Sequence, residues 1–233
     1  MHLLHGSENI ITHPVLGAGN PRNDFGPGFY CTHDASLAGE WACKRCKDGF
    51  VNSYRLDDEG LSTLDLMDGS HSVLEWIALL LANRRFSPRS QLGREAKAFL
   101  LSHCLPSITG HDIVIGYRAD DSYFSYAEDF VEGALSVSEL SAALHLGGLG
   151  LQTVLVSARG FERLEFLGAE PASASRYHAS FLSRDQRARQ KYFDGTFRLD
   201  AAIPRPEDDI YVLDLFRKEV SLDDERIPRM LSF

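Results

Sequence analysis

Cys43-Lys44-Arg45-Cys46 has the spacing of a metal or redox pair, and Cys31 and His33 are the residues that could complete a zinc tetrahedron around it. No second C-x-x-C and no H-x₃₋₅-H accompanies it, and four cysteines are too few for a disulfide framework at this length. The pair reads as two free thiols on one helix, with no metal. Three other segments carry residue types suited to holding a ligand. His5-Gly6-Ser7 joins an imidazole and a hydroxyl to a residue without a Cβ, which lets a ligand approach the backbone closely. Gly26-Pro27-Gly28-Phe29-Tyr30-Cys31-Thr32 leads into a helix that bears Trp41, so two aromatic rings are available for stacking. Leu151-Gln152-Thr153-Val154-Leu155-Val156 sets one amide in an apolar strand. Each is ordinary alone: a turn, a core tyrosine, a buried tryptophan. Asp120-Asp121 likewise reads alone as a helix cap. The chain has no P-loop, no G-x-S-x-G and no H-E-x-x-H, and Gly147-Gly148-Leu149-Gly150 lacks the spacing of a dinucleotide fingerprint.

In their order and spacing the three segments resemble the ADP-ribosyltransferase fold of the diphtheria-toxin and poly(ADP-ribose) polymerase branch. Closer still is the bacterial DUF3990 family. That resemblance rests on Asp24-Phe25-Gly26-x-Gly28-Phe29-Tyr30-x-Thr32, Ala38-x-x-Trp41-Ala42, Val51-Asn52-x-Tyr54, Asp112-x-Val114-x-Gly116-x-x-Ala119-Asp120-Asp121 and Gln152, and it covers about residues 3 to 195. It implies a mono-ADP-ribosyltransferase with NAD⁺ as substrate. The enzyme would cleave the nicotinamide–ribose bond and pass ADP-ribose to a protein or nucleic-acid acceptor. His5, Tyr30 and Gln152 would be the catalytic set. Gly6 would meet the carboxamide through its backbone, Tyr30 and Trp41 would stack on the nicotinamide, His5 would bond the adenosine ribose, and Ser7 would touch ribose or carboxamide. Arg22, Phe25 and Gly28 belong to a loop that would close over the nucleotide, Arg22 toward the pyrophosphate. Asp120 and Asp121 would lie on the acceptor side. A toxin or defence role, with an antitoxin or immunity protein as partner, also follows from the resemblance alone.

The chain departs from the pattern at Gln152, where the family mechanism uses Glu to hold the ribose 2′-hydroxyl and steady an oxocarbenium-like transition state. An amide still makes hydrogen bonds but brings no charge. Two other readings therefore stand beside the first: a catalytically silent NAD⁺ or ADP-ribose binding module, and an NAD⁺ glycohydrolase. Ala38, where many polymerases carry Ser, is a further departure, and poly-chain elongation is not expected.

Positioning these residues requires a mixed α+β domain, with the resemblance implying a split mixed sheet and flanking helices. Leu3-Leu4-His5 reads as a first strand, and the Gly-, Pro- and Asn-rich stretch 13–28 as a long loop. Strands follow at 29–32, 51–56, 62–66, 112–117 and 151–156. Asp34 should cap a helix running to Cys46. Helices are expected at 71–84 and 90–103, and Ser136-Val137-Ser138-Glu139 is a capping box for another reaching His145. Arg184, Arg187, Arg189 and Lys191 form a basic stretch on a helix, read as a solvated face or a contact to phosphate or an acidic acceptor. The domain spans 1–200, and an extension of no assigned role spans 201–233, with Ile210-Tyr211-Val212-Leu213 strand-like. The net charge of −9 disfavours non-specific nucleic-acid binding. The longest apolar stretch, around Ile77 to Ala82, is too short to cross a bilayer, and Met1 to Gly6 lacks the pattern of a signal peptide. A cytoplasmic protein without membrane contact is the expectation.

Overall fold

Alternation in the first strand sets the frame. β1 (His2–Ser7) buries Leu3 and Leu4 completely or nearly so and pairs antiparallel with β3 (Gly49–Leu56), which pairs in turn with β8 (Leu164–Ala172). A second sheet runs in the order β2 (Phe29–Cys31), β7 (Leu151–Leu155), β6 (Ile113–Tyr117), β4 (Thr63–Asp65), parallel only between β4 and β6. In this computed structural model residues 1–119, 121–144, 150–195 and 207–231 are described. They form a mixed α+β structure of nine strands and eight helices. It divides into two compact units interleaved in sequence: Met1–Asp65, Ile108–Arg118 and Gly150–Gln186 in one, and the described parts of Leu66–Ser107, Ala119–Leu149 and Arg187–Phe233 in the other.

Both sheets lie in the first unit and share one core of Leu3, Phe29, Cys31, Tyr54, Leu56, Ile113 and Leu155. Among the described residues they meet at a single bridge: Leu4 and Thr32 exchange both backbone hydrogen bonds, each at 2.8 Å. α1 (Ala35–Ala42) opens as the sequence predicts, with the Asp34 carboxylate accepting from the amides of Ser36 and Leu37. It stops at Ala42 instead of Cys46. The chain must turn back to enter β3 at Gly49, and Cys46 takes a left-handed φ of 57° in that turn. The two thiols therefore do not share a helix. Cys43 is buried and donates to the Ala172 carbonyl at 3.4 Å, while Cys46 is exposed. α6 (Ala158–Glu162) and the part of α7 (Ala174–Phe193) up to Gln186 complete this unit's elements. On α7 Arg184 is not solvated: it pairs with Glu40 at 2.6 Å, with side chains 16% and 10% exposed.

The second unit gathers around α2 (Val73–Asn83), whose apolar residues face nearly every direction, as a central helix requires. Ser72 and Glu75 form its capping box. α3 (Gln91–His103), α4 (Asp121–Val131) and α5 (Val137–Leu144) accompany it, and β5 (Asp68–Ser72) pairs with β9 (Arg229–Leu231). The strand expected at 210–213 is instead the start of α8 (Val212–Phe216). Tyr211 is extended and bridges to Ser136, and its amide donates to the Asp214 carboxylate at 2.7 Å, which starts the helix. Among the described residues no helix is long and apolar enough to cross a membrane.

Candidate functional site

Past the Leu4–Thr32 bridge the two strands part, and the site is built at this split. Because Leu4 spends both backbone groups on Thr32, antiparallel alternation turns those of Leu3, His5 and Ser7 toward β3 and those of Gly6 toward the β2 side. Among the described residues β1 and β2 are joined by that one bridge, so the N–H and C=O of Gly6, a buried residue, turn to the β2 side with no strand paired to them. The missing Gly6 side chain points elsewhere, at α1. A Cβ there would lie 1.8 Å from the Ala38 carbonyl oxygen and 2.6 Å from the Ala42 nitrogen. Glycine at this position lets the helix backbone pack on the strand. This corrects the expectation that a larger residue would stand in a ligand's path.

His5 crosses the split. Its Nδ1 lies 2.7 Å from the Tyr30 carbonyl, and its ring sits 4.4 Å from that of Phe29. A carbonyl only accepts, so Nδ1 carries the proton and Nε2 is the acceptor of the neutral ring. Burial lowers the pKa below the ordinary 6.5 and outweighs the opposing pull of the Tyr30 carbonyl, so the imidazole is neutral at physiological pH. The unfolded chain thus binds this proton more readily than the folded one. The stabilisation is complete above pH 6.5 and is lost as pH falls through the lower folded pKa. Urea midpoints measured across this range should fall more steeply with acidification for the wild type than for His5→Gln. Parallel curves would contradict the assignment.

Asn52, fully buried, orders the segment after β1. Its Nδ2 donates to the His5 carbonyl (3.2 Å), Ser7 Oγ (2.9 Å) and the Asn9 carbonyl (3.3 Å), and its Oδ1 accepts from the Ile11 amide at 2.9 Å. The Tyr54 hydroxyl adds a bond to the Ile11 carbonyl at 2.5 Å. Ser7 is therefore held in this network and bonds the Asn9 carbonyl at 2.6 Å. Asn52→Ala strands several of these groups and should cost about 3 kcal/mol in chemical denaturation. A loss below about 1 kcal/mol would mean that water replaces the amide.

Tyr30 pairs across from Val154, and Gln152 lies two residues from Val154, so Tyr30 and Gln152 occupy one face of the second sheet. Between them they hold three consecutive residues near the end of the long loop. The Tyr30 hydroxyl accepts from the Phe25 amide at 2.9 Å and donates to the Gly26 carbonyl at 2.8 Å. Gln152, only 2% exposed, donates through Nε2 to Asp24 Oδ2 at 3.1 Å and to the Tyr117 carbonyl at 3.4 Å. Sequence reasoning missed Asp24 as a site residue, because an aspartate in a Gly- and Pro-rich stretch looks like a turn former. Trp41 on α1 has its Nε1 buried with no hydrogen-bond partner, and the Arg118 guanidinium lies 5.8 Å from its ring centre.

Phe25 is 1% exposed and serves the core. Gly28 allows the loop to press on β7, since a Cβ would meet Val154 Cγ1 at 2.6 Å and the Leu155 carbonyl at 2.9 Å. Arg22 is exposed, its amide bonded to Asn20 Oδ1. Asp120 lies outside the described residues, and Asp121 begins α4 in the second unit. Among the described residues no three His, Cys, Asp or Glu side chains are grouped to hold a metal ion. Burial pushes the thiol pKa values of Cys31 and Cys43 up, and that of Cys104 to about 11, so these three are protonated and poor nucleophiles.

No curated protein and no solved structure matches the chain. One family model does, that of a protein of unknown function, DUF3990, over residues 1–166. The matched stretch takes in β1, the long loop, β2, α1 and β7, and with them His5, Gly6, Asp24, Tyr30, Trp41 and Gln152. The match extends over well more than half of the sequence, and the chain belongs to the DUF3990 family.

Proposed function

We propose that this chain is a mono-ADP-ribosyltransferase that cleaves NAD⁺ between nicotinamide and ribose and transfers ADP-ribose to a macromolecular acceptor. One observation carries the reading: among the described residues the backbone N–H and C=O of Gly6 turn to the β2 side with no strand paired to them, and a neutral His5 stands beside them. A donor and an acceptor on one backbone unit suit a carboxamide, which offers one of each. In this reading Tyr30 and Trp41 flank the nicotinamide ring, His5 Nε2 bonds the adenosine ribose, and Gln152 contacts the nicotinamide ribose. Two small sheets meeting at a single bridge support the split-sheet architecture of an ADP-ribosyltransferase. The loop bearing Arg22 would close over the pyrophosphate. Asp121, and Asp120 next to it, would serve the acceptor. An antitoxin or immunity protein as partner, and action in the cytoplasm, belong to the same proposal.

The reaction breaks the C1′–N bond. Its electron pair neutralises the pyridinium nitrogen, nicotinamide leaves uncharged, and positive charge builds on the ribose until an acceptor lone pair closes on C1′. A second reading, a silent NAD⁺-binding module, is favoured by the uncharged Gln152. Incubation with NAD⁺ labelled in its adenylate phosphate, with protein and RNA acceptors, separates the outcomes. Label on the acceptor is the expected result. Free ADP-ribose alone indicates a glycohydrolase, and binding without nicotinamide release indicates the silent module. Neither binding nor release overturns the proposal.

A further inference from the structure

Gln152 brings no charge to a reaction that develops a cation, yet a carboxylate stands against its amide. Resting on the reading above, we propose that Asp24 supplies the negative charge of this site and that Gln152 is the residue that positions it. Asp24 is 7% exposed, and Gln152 Nε2 donates to its Oδ2 at 3.1 Å. The carboxylate does not ride on a free loop. The next two residues are clamped by the Tyr30 hydroxyl at 2.9 and 2.8 Å, and Gln152 is itself anchored to the Tyr117 carbonyl. The Gln152 amide and the pinned turn set the position of the Asp24 carboxylate before substrate arrives, and a preset group is the one that stabilises developing charge best.

In the chemical step the C1′–N bond of NAD⁺ breaks and its electrons leave with nicotinamide. The cationic ribose is stabilised by the Asp24 carboxylate. With water as the nucleophile, an oxygen lone pair forms the new C1′–O bond and the released proton passes to solvent. Gln152 acts on this step through the orientation of Asp24.

The test is nicotinamide release from NAD⁺ by wild type, Asp24→Asn, Gln152→Glu and the charge-swapped double variant, with kcat and KM resolved and folding followed by thermal melting. Asp24→Asn should lower kcat on the order of 10²-fold with KM little changed. The double variant, which returns one carboxylate to the pair, should recover at least about tenfold of that loss. Gln152→Glu alone sets two carboxylates side by side, so one takes up a proton and the acid limb of its pH profile moves upward. Full kcat in Asp24→Asn, or a folded double variant no faster than Asp24→Asn, overturns the assignment while leaving the functional reading intact. If Asp24→Asn does not fold, the folded double variant decides: active supports the proposal, inactive overturns it. A wild type that binds NAD⁺ without releasing nicotinamide overturns the functional reading, and the Asp24 assignment falls with it.

Discussion

Gly6→Val should leave the first unit unable to fold stably, with a loss of about 3 kcal/mol or more in urea denaturation and little soluble protein. The valine Cβ would stand 1.8 Å from the Ala38 carbonyl oxygen and 2.6 Å from the Ala42 nitrogen. Both are backbone atoms of α1, so no rotamer change relieves the overlap. Strand and helix must separate instead. β1 cannot move freely, being paired with β3 along its length and bridged to Thr32. α1 is held at its start by Asp34 and by the Arg184–Glu40 pair. A variant as stable as wild type that fails only to bind NAD⁺ would mean that the glycine is kept for the ligand alone.

Gln152→Ala should lower the rate of nicotinamide release roughly 10²- to 10³-fold while NAD⁺ affinity stays within about twofold. The amide is not part of the platform that would receive the nicotinamide. Its partners are Asp24 and the Tyr117 carbonyl, so its removal frees the carboxylate from its set position. The same change removes the amide's hydrogen bonds to Asp24 and to the Tyr117 carbonyl and should cost about 1–3 kcal/mol of stability. Calorimetric binding and a discontinuous assay of nicotinamide release check the two halves separately. Full turnover in a folded Gln152→Ala protein would remove Gln152 from the mechanism.

Several elements are plain from local pattern. The alternation in 51–56, the apolar run within 113–117 and the reciprocal Ser136–Glu139 cap each specify their structure within a few residues. β8 was not legible, because Leu164 to Ala172 alternates weakly and carries Gly168 and Pro171. It is a strand because β3 offers it an edge. Ile210 to Leu213 misled for the converse reason: apolar residues of high strand propensity were drawn into a helix start by Asp214.

Three of the candidates are linked in a chain: the His5 ring bonds the Tyr30 carbonyl, and the Tyr30 and Gln152 side chains hold neighbouring residues of the 24–26 segment. Asp24 and Asn52 were hidden because their contacts are made at long range. Asn52 reaches residues more than 40 positions away, and the Gln152–Asp24 bond spans 128. No window on the sequence brings such pairs together. The missing side chain of Gly6 singled it out in the sequence, but the space it leaves is taken by the backbone of α1.

The most direct test of the account is a crystal structure of the chain with an NAD⁺ analogue whose ribose oxygen is replaced by carbon, so that the glycosidic bond stays intact. The account predicts the carboxamide on the N–H and C=O of Gly6, the nicotinamide ring beside Tyr30, and the adjoining ribose within reach of the Asp24–Gln152 pair. An analogue bound elsewhere, with the Gly6 edge unoccupied, would contradict it.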